Sequence, residues 1–280
     1  MWILTSGWTS TGPELKRAFL LKHLDAISNR IIISYQVEME FKKNRQAAIL
    51  ESIRGLKAPE QILRPGLFSD AKAVKALEKN LKQAEELVKR MRSRLSKIFE
   101  KPATYDPVYK VCQRVFHKED ALNLSRNTKV RHLIRRKAFR RFLFGCPPRK
   151  KDDTSIGDAV NWEWIVYCAK ETKSHIVIVS RDSDYGSISD SRSYLNDHLK
   201  QEFAERVGKT RKAVLYTKLS EALKHFAITV TPKEEEEENR LIESSEKTIE
   251  ATHRIKAKDV ISINVEDFIR AVDEVVSEKR

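Results

Sequence analysis

Two aspartates, Asp182 and Asp184, directly follow a short apolar run in the sequence IVIVSRDSDYG, which spans residues 176–186. Four consecutive apolar residues predict a strand that is buried on both faces, as strands of parallel sheets are. In such sheets the functional crevice lies beyond the carboxyl ends of the strands. The position of the two carboxylates therefore predicts that they line a functional site.

Two further carboxylates could reach the same sheet edge. Glu40 lies on a predicted helix that follows an apolar strand, and Asp158 lies at the start of a helix that opens with Gly157. Gathered carboxylates repel one another unless a positive charge lies between them, and Mg²⁺ prefers such oxygen ligands. A simpler interpretation stays open, in which Asp158 is a helix N-terminal charge and Asp184 is a turn residue.

The periodicity of the rest of the chain predicts the elements that position these side chains. Strands alternate with helices, which indicates an α/β fold with a mainly parallel sheet. The predicted strands lie at 30–34, 176–179 and 213–216, and the predicted helices at 14–27, 37–53, 74–98, 108–117, 130–144, from 157 onward and at 219–226. Apolar residues in the 74–98 segment alternate at spacings of three and four, which is a heptad pattern, so this predicted helix, the heptad helix, should pack along another helix in the stretch that follows it.

Positive charge is concentrated in one part of the chain. The formal net charge is +14, and residues 71–150 contain 23 Lys and Arg against 7 Asp and Glu, a surplus of 16 that leaves −2 for the remainder. Such a surface is typical of proteins that bind polyanions, because each neutralised phosphate releases counterions. A salt-sensitive solvated surface is the alternative.

The strongest basic segment is the predicted helix at 130–144. Its sequence predicts an amphipathic helix with six cations on one side and an apolar opposite side. The cations are Arg131, Arg135, Arg136, Lys137, Arg140 and Arg141, and the apolar residues are Leu133, Ile134, Ala138, Phe139, Phe142 and Leu143. A membrane-surface or partner-binding helix is the alternative interpretation. The absence of a membrane-length apolar run, a signal sequence and paired cysteine spacing predicts a cytoplasmic protein.

Three separated motifs resemble a known family. The segment GDAVNWEWI from Gly157, followed by IVIVSRDSDYG, resembles the second half of a PIN-like nuclease domain, in particular the larger bacterial branch with a Pro-Pro and Lys-Asp turn ahead of Gly-Asp. VEMEFKKNR at 37–45 resembles its first-half signature. The resemblance covers about residues 14–226 and implies a PIN-like α/β sandwich with a long basic helical insertion at about 69–144.

The resemblance also implies a site and an activity. Glu40, Asp158 and Asp182 would form the metal-binding acidic set for Mg²⁺ or Mn²⁺, with Asp184 as an additional catalytic carboxylate, whereas Glu38 should face solvent. The implied reaction is hydrolysis of phosphodiester bonds by an endonuclease, in RNA more than in DNA. The predicted nucleic-acid contacts are Arg135, Arg136, Arg140, Arg141, Arg149, Lys150, Lys151 and Ser180, and the candidates for base stacking are Phe139, Trp162, Trp164 and Tyr185.

One departure from the family pattern affects the site. PIN domains begin with a strand that ends in Asp-x-Asn, and this chain has no Asp before Asp25, which falls in a predicted helix. MWILTSGW resembles the segment after that motif, so we expect either that the first strand is lost or that Met1 is internal to a longer protein. A catalytically impaired PIN-like protein that binds nucleic acid or a partner is therefore the alternative function, and a structural role for the heptad helix is a third.

The C-terminal part differs in composition. We predict a PIN-like domain over 1–231 and an acidic linker and tail over 232–280. The block PKEEEEENR should be solvated and extended, because like charges repel. Apolar residues at helical spacing in 265–276 predict a helix, and a homodimer or a protein partner could bind through this tail or through the heptad helix.

Overall fold

The computed structural model describes residues 2–4, 18–58, 72–148, 155–190 and 192–243. The strands are β1 (Trp2–Leu4), β2 (Ile31–Ser34), β3 (Asn123–Leu124), β4 (Ile176–Val179), β5 (Gly186–Ser189), β6 (Arg192–Leu195) and β7 (Ala213–Tyr216). The helices are α1 (Ala18–Ala26), α2 (Tyr35–Gly55), α3 (Lys72–Glu100), α4 (Pro102–Tyr105), α5 (Pro107–Phe116), α6 (Arg131–Leu143), α7 (Gly157–Thr172), α8 (Asp197–Val207) and α9 (Leu219–His225), and a further helix, α10, covers 232–243.

Five strands form one parallel sheet in the order β3-β2-β1-β4-β7. The strands β5 and β6 form a separate antiparallel hairpin directly after the segment that carries Asp182 and Asp184. Because β2 and β4 flank β1 and all three run in the same direction, their carboxyl ends meet at one edge of the sheet. The α/β class with a mainly parallel sheet is confirmed.

The first strand is present, contrary to our expectation. Trp2–Leu4 forms β1 in the centre of the sheet, with Ile3 opposite Ile32 of β2 and Ile178 of β4. Trp2–Leu4 therefore belongs to a strand itself and not to the chain that follows one. In the sequence, Thr5 comes next, where the family pattern has Asp.

Helices cover both faces of the sheet, which explains the continuous apolar strands. Successive side chains of a strand point to opposite faces. Ile176 and Ile178 accordingly pack against the core that α6, α7 and α8 share, whereas Val177 and Val179 pack against α1 and α9. All four residues of β4 are fully buried.

The buried side of α6 differs from the predicted apolar side. Ile134, Ala138 and Arg141 are its buried residues, at positions i, i+4 and i+7, whereas Phe139 and Leu143 are exposed. The guanidinium of Arg141 contacts Glu163 of α7 and Glu202 of α8, with its Nε 3.2 Å from Glu163 Oε1, and it donates to the Pro147 carbonyl. The prediction that Arg141 contacts nucleic acid is therefore wrong, because its charge is buried and paired.

A second arginine completes this network. Arg206 of α8 lies 2.6 Å from Glu163 and 2.6 Å from Glu202, so two carboxylates and two guanidiniums alternate between three helices. Burial alone would raise the pKa of Glu202, but hydrogen bonds and charges from Arg141 and Arg206 lower it below its ordinary value. The network joins α6, α7 and α8 into one unit.

Another buried arginine joins α2 to the helices α3 and α5. Arg45 Nε lies 2.6 Å from Asp106, its Nη2 donates to the Ile98 carbonyl at 2.7 Å, and its guanidinium lies over the Tyr109 ring. The packing partner of α3 is α2, through its C-terminal part, and α3 leads directly into α4. The prediction that the heptad helix packs on the stretch after it is therefore wrong. The end of α3 packs on α2 instead, where Arg45 binds the carbonyl of Ile98.

The acidic block after Thr231 is helical, and the prediction of an extended segment is wrong for 232–243. Glu238 accepts hydrogen bonds from the backbone N–H groups of Leu219 and Ser220 at the start of α9, at 2.7 and 3.1 Å. Burial would raise the pKa of Glu234, but Lys22 and Thr231 lower it to about 2. These contacts explain why the block folds onto α1 and α9. The predicted helix at 265–276 lies outside the described residues.

Two neighbouring arginines of α6 should differ sharply in their contribution to stability. Arg141→Met leaves Glu163 and Glu202 to share the single guanidinium of Arg206, so we expect a loss of up to about 3–5 kcal/mol in the free energy of unfolding. Arg140→Met, at an exposed position, should change it by no more than about 0.5 kcal/mol. Urea unfolding of both variants measures the difference. Equal stabilities would contradict the assignment of Arg141 to the folded network.

Candidate metal centre and nucleic-acid face

A buried tyrosine marks the place where the predicted carboxylates converge. Tyr185 is fully buried, and its hydroxyl donates to the main-chain carbonyl of Asp158 at 3.3 Å. Burial raises the pKa of Tyr185 well above its ordinary value, and the negative charges of Asp158, Asp182, Glu40 and Asp184 raise it further. The structure therefore brings all four predicted carboxylates into the electrostatic environment of one neutral hydroxyl.

Glu40 reaches this place from the second turn of α2. Ser34 caps the helix by accepting from the Val37 N–H at 3.3 Å, and Gln36 donates to Glu40 Oε1 at 2.6 Å. A Cβ at Gly157 would lie 2.5 Å from Gln36 Nε2 and 2.6 Å from Glu40 Oε1. The glycine ahead of Asp158 is therefore required so that the side chains of α2 can lie against the start of α7.

The other three carboxylates come from two neighbouring segments. Asp158 lies in the first turn of α7, where the helix dipole favours negative charge. The turn after β4 carries Asp182 and Asp184, and Ser180 shapes it by accepting from the Asp182 N–H at 3.1 Å. Ser180 is buried, so the prediction that it contacts nucleic acid is replaced by a role in orienting Asp182.

Sequence reasoning missed the polar residues that support this arrangement. Ser34 Oγ donates to Asn161 Oδ1 at 2.5 Å, which links the end of β2 to α7. Gln36 could have been found from its spacing of four residues from Glu40, since i and i+4 lie on one helix face. The Ser34–Asn161 contact joins residues 127 positions apart, and local sequence carries no signal for it.

The chemistry of these side chains fits a hard divalent cation. The four groups offer only carboxylate oxygens, and Glu40 Oε2, Asp158 Oδ1 and Asp184 Oδ2 are each shielded from solvent. Within the described ranges, no three His, Cys, Asp or Glu side chains are arranged closely enough to form a metal-binding group. The donor types thus match Mg²⁺ or Mn²⁺, whereas the side-chain arrangement by itself does not define a metal centre.

Glu38 is half-buried and paired, whereas we expected it to face solvent. It contacts Lys42 at 2.6 Å and His117 at 3.1 Å. Burial would raise the pKa of Glu38, but its hydrogen bonds to Lys42 and His117 lower it. Its charge is therefore used in local ion pairs on the other side of the helix.

The predicted nucleic-acid contacts divide into three groups. Arg135, Arg136 and Arg140 are exposed on α6. Arg141 and Ser180 are buried, as described above. Arg149, Lys150 and Lys151, together with the neighbouring Asp152, lie outside the described residues.

The residues predicted to stack on bases fall into a buried group and an exposed one. Trp162, Trp164 and Tyr185 are buried at 0–2% exposure, and the indole N–H groups of the two tryptophans donate to Glu202 and to the Leu122 carbonyl. These three residues belong to the core. Phe139 is 52% exposed and is the one predicted stacking residue that lies on the surface.

Comparison with protein families identifies the class of this chain. A family model for the PIN domain matches residues 8–185, more than half of the chain, so the chain belongs to the PIN domain family. PIN domains are generally nucleases. Comparison with curated proteins and with solved structures gives no significant match. None of the helices in the described part of the chain is long and apolar enough to cross a membrane.

Substitution of Gly157 should disturb the site more than the fold. In Gly157→Ala, the new methyl group meets only the mobile ends of Gln36 and Glu40, so we expect the free energy of unfolding to change by no more than about 1 kcal/mol. Glu40 must move, and the affinity for Mn²⁺, measured by calorimetry, should fall. Gly55→Ala is the matched control, because no atom lies within 4 Å of the added Cβ. Unchanged Mn²⁺ affinity in Gly157→Ala would contradict the placement of Glu40 in the site.

Proposed function

We propose that this PIN-domain protein is a metal-dependent endonuclease that hydrolyses phosphodiester bonds, with RNA as the substrate in preference to DNA. The observation that carries the proposal is the convergence of Glu40, Asp158, Asp182 and Asp184 around Tyr185 at the carboxyl edge of a parallel sheet. Membership of a family whose members are generally nucleases supports the reaction. The preference for RNA rests on the resemblance to PIN-like nucleases.

In this proposal each acidic side chain has a defined part. Glu40, Asp158 and Asp182 would hold Mg²⁺ or Mn²⁺, and Asp184 would act from beside them. A divalent ion held by these residues would supply Lewis-acid chemistry, namely polarisation of the scissile phosphate and activation of a water molecule. Gln36 fixes one oxygen of Glu40, and Ser180 fixes the backbone of Asp182, so both carboxylates are oriented before substrate binds.

Tyr185 supports the site as a neutral donor. Its raised pKa keeps the hydroxyl protonated, and that hydroxyl is directed at the carbonyl of Asp158. A protonated, fully buried phenol does not serve as a general base at neutral pH. We therefore assign Tyr185 to positioning the first turn of α7 and not to proton abstraction.

A second candidate function is supported by one observation. Thr5 follows β1 in the sequence, where the family pattern has Asp. A chain that lacks this carboxylate could bind nucleic acid without cleaving it. The acidic residues that are present favour cleavage, because a surface dedicated to binding phosphates is weakened by four carboxylates.

Removing one ligand charge should separate cleavage from binding. Asp182→Asn keeps the side-chain shape, so Mn²⁺-dependent cleavage of a labelled single-stranded RNA should fall by more than about 100-fold, while binding in EDTA persists or strengthens as repulsion of phosphate is relieved. Asp158→Asn should behave alike. Asp184→Asn should cost less, about 10- to 100-fold.

Asp190→Asn is the matched control, because Asp190 is exposed in the β5–β6 turn and its positive φ of 48° also suits Asn. Cleavage at the wild-type rate by Asp182→Asn would contradict the metal-site assignment. Binding of RNA by the wild type, without cleavage in Mg²⁺ or Mn²⁺, would establish the second candidate function.

A further inference from the structure

The outer face of α6 combines aromatic and basic side chains. Successive residues of a helix are rotated by about 100°, so Phe139 and Leu143 lie more than about 130° from the buried line of Ile134, Ala138 and Arg141. Phe139 is 52% exposed and Leu143 is 62% exposed. Phe144, the C-cap residue, is 74% exposed. Large apolar groups at such positions need an explanation, since the core already has its own face of this helix.

Cations surround these apolar groups. Arg135, Arg136 and Arg140 are exposed on the same helix, and in the part of the chain that the structure describes none of them takes part in an ion pair. Arg141 is the arginine of this helix that forms the buried ion pairs with Glu163 and Glu202. The remaining guanidiniums are therefore available to a polyanion.

The distribution of side chains distinguishes between kinds of polyanion. A helix that lies on a membrane needs an apolar face opposite a charged face. On α6 the side opposite the cations is buried in the core, and the exposed rings lie among the cations. Rings interspersed with cations suit single-stranded nucleic acid, whose bases are free to stack while its phosphates meet the cations. A duplex hides the faces of its bases and cannot use the rings.

The C-terminal end of α6 packs on α7, the helix that carries Asp158 in its first turn. Arg141, near the C-terminal end of α6, contacts Glu163 on α7. Glu163 lies five residues after Asp158, which corresponds to about 7.5 Å along the helix axis and to a rotation of about 140° around it. The end of α6 therefore packs on α7 at a different face from the one that carries Asp158.

We propose that the outer face of α6 is a stacking platform for single-stranded nucleic acid. Bases stack on the rings of Phe139 and Phe144, and Arg135, Arg136 and Arg140 contact the phosphates between them. The proposal rests on the proposed function, and it specifies that the substrate is single-stranded where it crosses α6.

Binding of base-containing and base-free strands tests this platform. The full chain is titrated in EDTA against a fluorescent oligoriboadenylate of about ten nucleotides and against an abasic strand of equal length and charge. The wild type should bind the oligoadenylate more tightly. Phe139→Ala and Phe139→Leu should each weaken binding of the oligoadenylate by about 5- to 30-fold, with binding of the abasic strand unchanged. The leucine variant keeps an apolar side chain and removes only the flat ring.

Two sets of variants serve as controls. Tyr105→Ala removes a ring that is 48% exposed on α4 and should change neither affinity. Arg136→Gln and Arg140→Gln should weaken binding of both strands and reduce the slope of log affinity against log salt by about 0.7 for each lost contact. Wild-type affinity for the oligoadenylate in both Phe139 variants, or equal binding of the two strands by the wild type, would overturn the platform.

The test of the stacking platform and the test of the metal site can fail independently of each other. Asp182→Asn should retain the preference for the base-containing strand, because the platform contains no carboxylate. Loss of this preference in the Phe139 variants, together with unimpaired cleavage by Asp182→Asn, would support the platform and contradict the metal-site assignment. Unchanged binding by the Phe139 variants, together with loss of cleavage by Asp182→Asn, would do the reverse.

Discussion

The placement of four carboxylates near one buried hydroxyl is the constraint on which the candidate site depends. The parallel sheet creates it, because the ends of β2 and β4 and the start of α7 meet at one edge. Several features reduce its cost: Asp158 lies at a helix N-terminus, Gln36 donates to Glu40, and Tyr185 stays neutral. In the proposed function, a divalent cation bound to these oxygens would offset the remaining repulsion.

Two buried arginines determine which charges remain for function. Arg45 joins α2 to the end of α3 and to Asp106 ahead of α5, and Arg141 joins α6 to α7 and α8. Each is matched by carboxylates in the core, as buried charges must be. Arg135, Arg136 and Arg140 of α6 stay exposed. The basic face of α6 and Asp158 are thus carried by two helices that pack on one another.

The strongest periodic segments could be predicted from the sequence, and so could the sheet edge that the acidic residues follow. The strands at 31–34 and 176–179 are continuous apolar runs, and parallel topology brings the residues after them together. The strand β1 has three residues, too few for a pattern. Burial of Arg141 depends on Glu202, which lies 61 residues away. The helix at 232–243 depends on Glu238 meeting the N–H groups of α9. Contacts of this kind become visible only after the chain has folded.

The most direct measurement is anomalous X-ray scattering from crystals grown with Mn²⁺. A cation held by the cluster should give an anomalous peak about 2.0–2.6 Å from carboxylate oxygens of at least two of Glu40, Asp158 and Asp182. The same crystals should show Gln36 still bonded to Glu40, since that contact orients the ligand without the metal. An anomalous map with no peak at the cluster, at a Mn²⁺ concentration that supports cleavage, would contradict the assignment of these carboxylates as the metal site.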